Sequence, residues 1–267
     1  MSLKIKSVNH LVDLVRNEKV NFIKIPQIKG VDIETKIVER KELDTTPDPV
    51  ALYNFNGNLD DSSDTGADLT INGGGNNLFY PNFLLSGSQS AYFDGSTCYF
   101  APEDDALEIT GDLTLLVITN VSANPSDYVA LVTHGGTNDA ESENFLYGLY
   151  LNSNEELYWF QEKDAGTNLD YTLTGYPIPL DQWVMIGATR TSNVIQFWLN
   201  GAKLGSSTSL SAPTGGGDGQ LFIGSENPGT QYRYTGHIKS VKIIASALTE
   251  AQMMEEFEQI TGDLKFI

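Results

Sequence analysis

The sequence predicts an all-β protein: a β-sandwich closed by a short C-terminal helix and preceded by a small N-terminal arm. Three observations predict it. The chain after Pro49 is a succession of short apolar-alternating runs separated by Gly, Asn, Asp and Ser clusters, the pattern of half-buried strands. Residues 221–257 read as strand, loop, strand and helix in close order. Composition then breaks sharply at Thr45-Thr46-Pro47-Asp48-Pro49. Before Pro49 the chain carries net charge +1, with one glycine and one aromatic, Phe22. After it the net charge is −20, together the −19 of the whole. Residues 1–48 are therefore expected to be a separate arm, 49–267 the sandwich domain, and the proline-flanked stretch a linker.

In the arm, Ser7 is placed to cap a short helix whose Val8, Leu11, Val12 and Val15 follow helical spacing. Val20–Ile25 and Val31–Val38 read as strands separated by Pro26 and Gly30. So short a segment buries little core alone, which leaves two readings: it docks on a partner or forms an oligomer, or it packs on its own sandwich.

The body opens with Val50–Phe55 as first strand, followed by the polar turn cluster Asn56, Gly57, Asn58, Asp60, Asp61, Ser62 and Ser63. Ser90–Tyr99 alternates, with Tyr92 and Asp94 on one face and Ala91 and Phe93 on the other. Leu107–Thr110 and Asp112–Thr119 follow, then Tyr128–Thr133. Phe145–Leu151 and Glu156–Gln161 form a hairpin across Asn152-Ser153-Asn154-Glu155. Trp183, Val184, Ile186 and Ala188 belong to the next strand, and Val194–Leu199 turns back through Asn200-Gly201, the dipeptide that a type I′ turn selects. In the closing segment, Leu221–Gly224 is a brief strand. His237–Ala245 is a longer one, expected to send Ile238, Ser240, Lys242 and Ile244 one way and Lys239, Val241, Ile243 and Ala245 the other. Thr249 and Gln252 are spaced as a capping box. Met253, Phe257 and Ile260 share a helical face, and Gly262 stands where a C-cap belongs.

These motifs resemble a laminin-G-like jelly-roll domain of the concanavalin-A-like lectin/glucanase superfamily. The resemblance is carried by the turn cluster 56–63, by Ala91-Tyr92-Phe93-Asp94-Gly95 and by Phe197-Trp198-Leu199-Asn200-Gly201. It is completed by Ile223-Gly224, Gly236-His237-Ile238, Val241, Ile243, Ala247-Leu248-Thr249 and Gln252, and it covers residues 50–260. It implies a concanavalin-A-like jelly-roll β-sandwich. It also implies a structural calcium held with an acidic residue in the closing strand, where this chain has Lys239-Ser240. Asp60, Asp61, Asp64 and Asp94 are the candidate hard-oxygen ligands; their other reading is as turn formers. No further cofactor is expected.

Composition excludes several functions. A net charge of −19 disfavours nucleic acid and anionic membrane surfaces, and no apolar run approaches the ~18 residues of a membrane span. Cys98 is the sole cysteine, which reads as a small buried strand residue. Lys4 and Lys6 interrupt the opening residues and no apolar run follows, so a secretory signal is not expected there. The paired same-strand carboxylates of a glycosidase are absent: Glu141 and Glu143 fall in a polar loop, Glu155 and Glu156 at a hairpin tip. His10, His134 and His237 form no metal-binding pair, and neither a Gly-x-Ser-x-Gly elbow nor a phosphate loop occurs. No enzyme activity is expected.

A binding module remains. Sugars are held by aromatic faces and hydrogen-bonding groups at sandwich loops or on an exposed sheet. His134, Asn138, Asp139, Trp159, Tyr232 and Arg233 are the candidate carbohydrate contacts, with Tyr158, Phe160 and Tyr234 beside them. Strand alternation puts Tyr158 and Phe160 opposite Trp159, so one side must be core. An acidic, extracellular-like body with a distinct arm and no expected signal fits a bacteriophage virion structural protein: a capsid decoration, fibre or tail component. The arm would attach to other virion or surface proteins or form a homo-oligomer, while the sandwich projects to grip glycans. The alternative is a secreted bacterial adhesin or carbohydrate-binding module.

Overall fold

The computed structural model describes residues 46–72, 79–81, 88–122, 125, 127–135, 145–164, 168–214, 219–226 and 232–262. The expectations for residues 1–45 lie outside them. Fifteen strands, one α-helix and one short 3-10 turn (Asp105–Leu107) are described. In chain order they begin with β1 (Ala51–Tyr53), β2 (Thr70–Asn72), β3 (Phe79–Pro81), β4 (Gln89–Asp94) and β5 (Cys98–Ala101). Then come β6 (Leu113–Val121), β7 (Val129–His134), β8 (Tyr147–Leu151), β9 (Glu156–Asp164) and β10 (Asn168–Pro177). The last are β11 (Trp183–Thr191), β12 (Val194–Leu199), β13 (Ala202–Ser209), β14 (Leu221–Ile223), β15 (Thr235–Ile244) and α1 (Glu250–Gly262).

The strands form two antiparallel sheets. The first runs β13-β12-β11-β6-β15-β4-β3, with β1 also paired to β15; the second runs β10-β9-β8-β7-β14-β5-β2. Their inner faces close one apolar core. Leu115, Val117, Ile186, Phe197, Ile238, Val241 and Ile243 come from the first sheet. Tyr99, Leu131, Val132, Leu149, Trp159, Leu221 and Ile223 come from the second. Burial of Cys98 is complete.

Local chemistry sets the turns. Asn200 and Gly201 have φ of 50° and 79°, the left-handed pair of a type I′ hairpin. Asn152 Oδ1 accepts from the backbone N–H groups of Asn154 and Glu156, which folds the β8–β9 turn. Thr249 and Gln252 form the reciprocal box at the start of α1: Thr249 N–H donates to Gln252 Oε1 at 2.9 Å and Gln252 N–H to Thr249 Oγ1 at 3.3 Å. Met253 is buried, with Phe257 and Ile260 beside it, on the outer face of the first sheet against Leu116, Met185, Trp198, Ile244 and Leu248. Gly262 is the last residue of α1.

Two features differ from the sequence reading. Strict alternation along β15 fails, because its register with β6 shifts between Ile238 and Ser240. The extra residue returns Ile238 to the core side shared by Val241 and Ile243. In addition β2, β3 and the edge strand β10 were not anticipated; along β10 the usual alternation is inverted, with Tyr171, Leu173 and Tyr176 exposed and Thr172 and Thr174 buried.

Candidate functional site

The outer face of the second sheet carries aromatic side chains where a solvated sheet would carry polar ones. Register defines two cross-strand rows. Tyr171 on β10 pairs with Phe160 on β9, which pairs with Gly148 on β8. One step along, Leu173 pairs with Tyr158, Tyr158 with Tyr150, and Tyr150 with Ala130 on β7. Gly148 makes the packing possible: a Cβ there would lie 2.6 Å from Tyr150 Cε2 and 3.0 Å from Phe160 Cε1.

The rings interlock. Tyr150 and Phe160 lie 4.9 Å apart, Phe145 and Phe160 4.9 Å, Tyr128 and Tyr158 4.8 Å, and Tyr158 and Tyr171 5.6 Å. Tyr232 closes one side, 6.1 Å from Tyr128, and its carbonyl accepts from Ala130 N–H at 2.8 Å. Tyr150 and Phe160 form a buried floor, Tyr128, Tyr158 and Tyr232 half-buried walls, and Tyr171 is 58% exposed.

Glu226 supplies the charged group. Burial pushes its carboxyl up to about 7, and the Tyr150 hydroxyl beside it partly offsets that rise. The Tyr150 hydroxyl is itself buried and falls short of a well-formed hydrogen bond. Desolvation, then the Glu226 charge, holds the Tyr150 phenol well above its ordinary range. The face therefore combines exposed ring, half-buried phenols and a carboxyl that is half-protonated near neutrality, a set able to stack on an apolar ligand face and exchange hydrogen bonds with hydroxyls.

Of the sequence-predicted residues, Tyr232 lies on this face, and Arg233 is half-buried next to it in the chain. Asn138 and Asp139 lie outside the described residues. Trp159 points the other way, into the core, where its Nε1–H donates to Gln161 Oε1 at 3.0 Å. At 0% exposure it offers no ring face to a ligand. His134 also faces inward, stacked 5.2 Å from Tyr147 and 1% exposed. Among the described residues neither of its ring nitrogens has a hydrogen-bond partner, and burial pushes it down to about 4, so it is a neutral core residue. Tyr234 is core as well, its hydroxyl 2.6 Å from Thr119 Oγ1. Sequence reasoning missed Tyr128, Tyr150, Tyr171 and Glu226; the spacing Gly148-x-Tyr150 opposite Tyr158-x-Phe160 was the available signal.

The aspartates organise turns. Asp61 accepts from Leu52 N–H, Ser63 N–H and Ser63 Oγ at 2.9 Å and from Ala67 N–H at 3.2 Å. Asp60 accepts from Asn58 Nδ2. Asp94 accepts from Ser96 Oγ and from the N–H groups of Ser96 and Thr97, and these bonds, the Ser96 hydroxyl first, hold its carboxyl down to about 2. Asp64 is exposed. Where the resemblance implies an acid in the closing strand, this chain's Lys239 Nζ donates to Asn54 O at 2.8 Å and Asn56 Oδ1 at 2.7 Å. An ammonium facing those oxygens does not fit a calcium ion there. Among the described residues no group of three or more His, Cys, Asp or Glu is arranged to hold a metal.

Comparison with known proteins places this geometry. The sequence profile of the concanavalin A-like lectin/glucanases superfamily matches residues 94–254. Among solved structures, domain 4 of a GH43 extracellular arabinanase from Geobacillus stearothermophilus, in complex with arabinotriose, superposes with TM-score 0.61 at 18% identity, over 79% of this chain and 98% of that one. The binding domain of botulinum neurotoxin DC, in complex with rat synaptotagmin II, gives TM-score 0.58 at 12% identity, over 79% of this chain. A botulinum neurotoxin type C structure, concerned with cell entry through two ganglioside molecules, gives 0.59 at 10%, over 80% of this chain. The chain spans about half the length of these toxin chains, 51% in each case. No curated protein sequence matches it. With its two-sheet topology and a profile match across more than half its length, the chain belongs to the concanavalin A-like lectin/glucanase superfamily.

Proposed function

We propose that the chain is a non-enzymatic glycan-binding module that receives its ligand on the outer face of the second sheet. The observation that carries this reading is the Tyr171 ring, 58% exposed and continuous with Tyr158, Tyr128 and Tyr232 above a closed aromatic floor. Sugar rings present apolar C–H faces to such phenols, and hydroxyls at their edges reach Glu226 and Tyr232. The arabinotriose complex of the arabinanase domain and the ganglioside dependence named for the type C toxin make the same ligand class reasonable for this fold.

A finer reading rests on composition. The body is strongly acidic and residues 1–48 carry a balanced, aromatic-poor composition of their own. We assign the chain to a virion surface, with the arm as attachment to other virion proteins and the sandwich projecting outward. The adhesin reading keeps the same glycan face and changes only what the arm holds.

A glycan array with the full-length chain tests the first reading. Binding should appear, and Tyr171→Ala and Tyr158→Ala should each weaken it about tenfold, the worth of one lost stacking contact. An array silent for the wild-type chain, or hits indifferent to both variants, would reject it. Hydrolysis of any oligosaccharide in the same panel would reject the non-enzymatic part. For the arm, solution mass of the full chain beside one starting at Thr46 decides: assembly lost on truncation supports attachment through residues 1–45.

A further inference from the structure

The first sheet carries a second aromatic row on its outer face, clear of α1. Trp183, Asn120, His237 and Tyr92 are register neighbours across β11, β6, β15 and β4. His237 lies 6.1 Å from Trp183 and 4.9 Å from Tyr92, and Tyr80 meets both Tyr92 and His237 edge-on at 5.6 and 5.7 Å. Ser90 Oγ lies 3.2 Å from His237 Nδ1. Tyr80 is 44% exposed; Tyr92, Trp183 and His237 are half-buried.

The next outward residues along the same strands are Met185, Ile118 and Ser240. These line a groove of about 640 Å³ that runs to Glu256, Gln259 and Ile260 of α1. Its charged wall residues are Lys239, Lys242 and Glu256. Lys242 and Glu256 neutralise each other at 2.6 Å. Lys239 does not have that compensation. It is 6% exposed, its two hydrogen bonds go to the neutral oxygens of Asn54 and Asn56, and among the described residues it has no carboxylate partner. An ammonium has three N–H donors, so one remains for a ligand. On a chain of net charge −19, this groove is a local positive site.

Ring faces for a sugar, amides and hydroxyls for its hydroxyl groups, and one buried cation for an anion are the recognition chemistry of a carboxylated sugar. We propose that the groove and the Trp183–His237–Tyr92 row together bind an acidic saccharide, its carboxylate directed at Lys239 and a sugar ring laid along the aromatic row. This site stands apart from the one proposed on the second sheet, since the two lie on opposite outer faces.

Tryptophan fluorescence reads it directly. Trp159 and Trp198 are 0% and 3% exposed, so a ligand-induced change reports Trp183. The full-length chain is titrated with tetragalacturonic acid and with its methyl ester, the same sugars without charge. Sialyllactose and a hyaluronan tetrasaccharide serve as further carboxylated probes. We expect a spectral shift with at least one acid, binding about tenfold weaker for the neutral ester and weakening with salt. Trp183→Ala removes the reporter, so the variants are titrated by calorimetry; Trp183→Ala should lose about tenfold in affinity while Tyr158→Ala leaves it unchanged. Lys239→Met should erase the acid-over-ester preference; Lys239→Arg, which keeps the charge should the opening loop need it, should retain the preference. Silence toward all three acids, equal affinity for acid and ester, or binding lost in Tyr158→Ala but kept in Trp183→Ala would overturn the proposal. The last outcome would leave the second-sheet reading standing.

Discussion

Arg190 is the sharpest point at which the fold can be perturbed. It sits at 0% exposure, held by neutral acceptors and, among the described residues, with no carboxylate in an ion pair with it. Nε donates to Gly111 O at 2.8 Å, Nη1 to Leu146 O at 2.8 Å and Gln161 Oε1 at 3.1 Å, and Nη2 to Ile109 O at 2.6 Å. Its guanidinium also lies 5.9 Å from the Trp159 ring. It therefore joins β11 to the segment before β6, to the residue before β8 and to β9, across both sheets. Burial pushes it down to about 10, so the charge is kept at a cost. Replacement by Met removes that cost but strands two buried acceptors, Ile109 O and Leu146 O, while Gln161 Oε1 keeps the Trp159 Nε1–H. Net values for hydrogen bonds to a charged group, which already contain the desolvation of the donor, run at roughly 1.5 kcal/mol or more each. Arg190→Met should therefore lose about 3 kcal/mol. Lys, with a single nitrogen in place of the fork, should fall between Met and wild type. Urea denaturation followed by fluorescence measures it, with an unchanged slope confirming that the same surface is exposed. A loss below about 1 kcal/mol for Met would refute the reasoning, because it would mean the desolvation cost cancels the four bonds.

Three further outcomes follow from buried titratable groups and close packing. His134 is pushed down to about 4 from an ordinary 6.5. Within that window the unfolded chain binds a proton the folded chain refuses, so stability falls as pH drops; His134→Phe should flatten this acid limb by about 3 kcal/mol in urea melts across pH. Glu226 behaves oppositely: pushed up to about 7 from 4.5, it favours the folded state at low pH and loses that contribution as pH rises through 7. Glu226→Gln should remove about 2 kcal/mol of that neutral-side decline, allowing for its partial exposure. Gly148→Ala places a methyl 2.6 Å from Tyr150; it should cost about 1–3 kcal/mol as overpacking and shift the near-ultraviolet circular dichroism of the tyrosine cluster.

Much of this architecture was legible in the sequence because its signals are local. The Asn200-Gly201 turn, the Asn152 hairpin and the Thr249–Gln252 box each depend on residues within a few positions of one another, and each forms as read. What the sequence hid depends on cross-strand registry. The bulge at Lys239 reassigns Ile238 to the core, and nothing in the local alternation marks it. Trp159 reads as a ligand-binding aromatic from its residue type, yet its direction is set by β9 pairing with β8 and β10. Tyr171 was hidden because β10 inverts the usual alternation, with Tyr171 and Leu173 exposed and Thr172 and Thr174 buried. The candidate face is a sum of residues from β7, β8, β9, β10 and three loops that are distant in sequence, so only the register assembles it.

The two outer faces explain each other. In an antiparallel sandwich the outward positions are ordinarily polar, so outward apolar side chains need a cover or a function. On the first sheet, Leu116, Met185, Trp198 and Ile244 receive that cover from Leu248, Met253, Phe257 and Ile260 on and beside α1. On the second sheet, among the described residues, Ala130, Tyr150 and Phe160 are shielded by other aromatic rings, Tyr128, Phe145, Tyr158 and Tyr232. A helix alone would have served stability as well there as it does on the first sheet. Tyrosines serve a different end: Tyr128, Tyr158 and Tyr232 stay half-buried and add hydroxyls that can donate and accept hydrogen bonds. The departure from polar alternation is concentrated where rings meet solvent at Tyr171, and local rules are most often broken at such places because a ligand completes the packing.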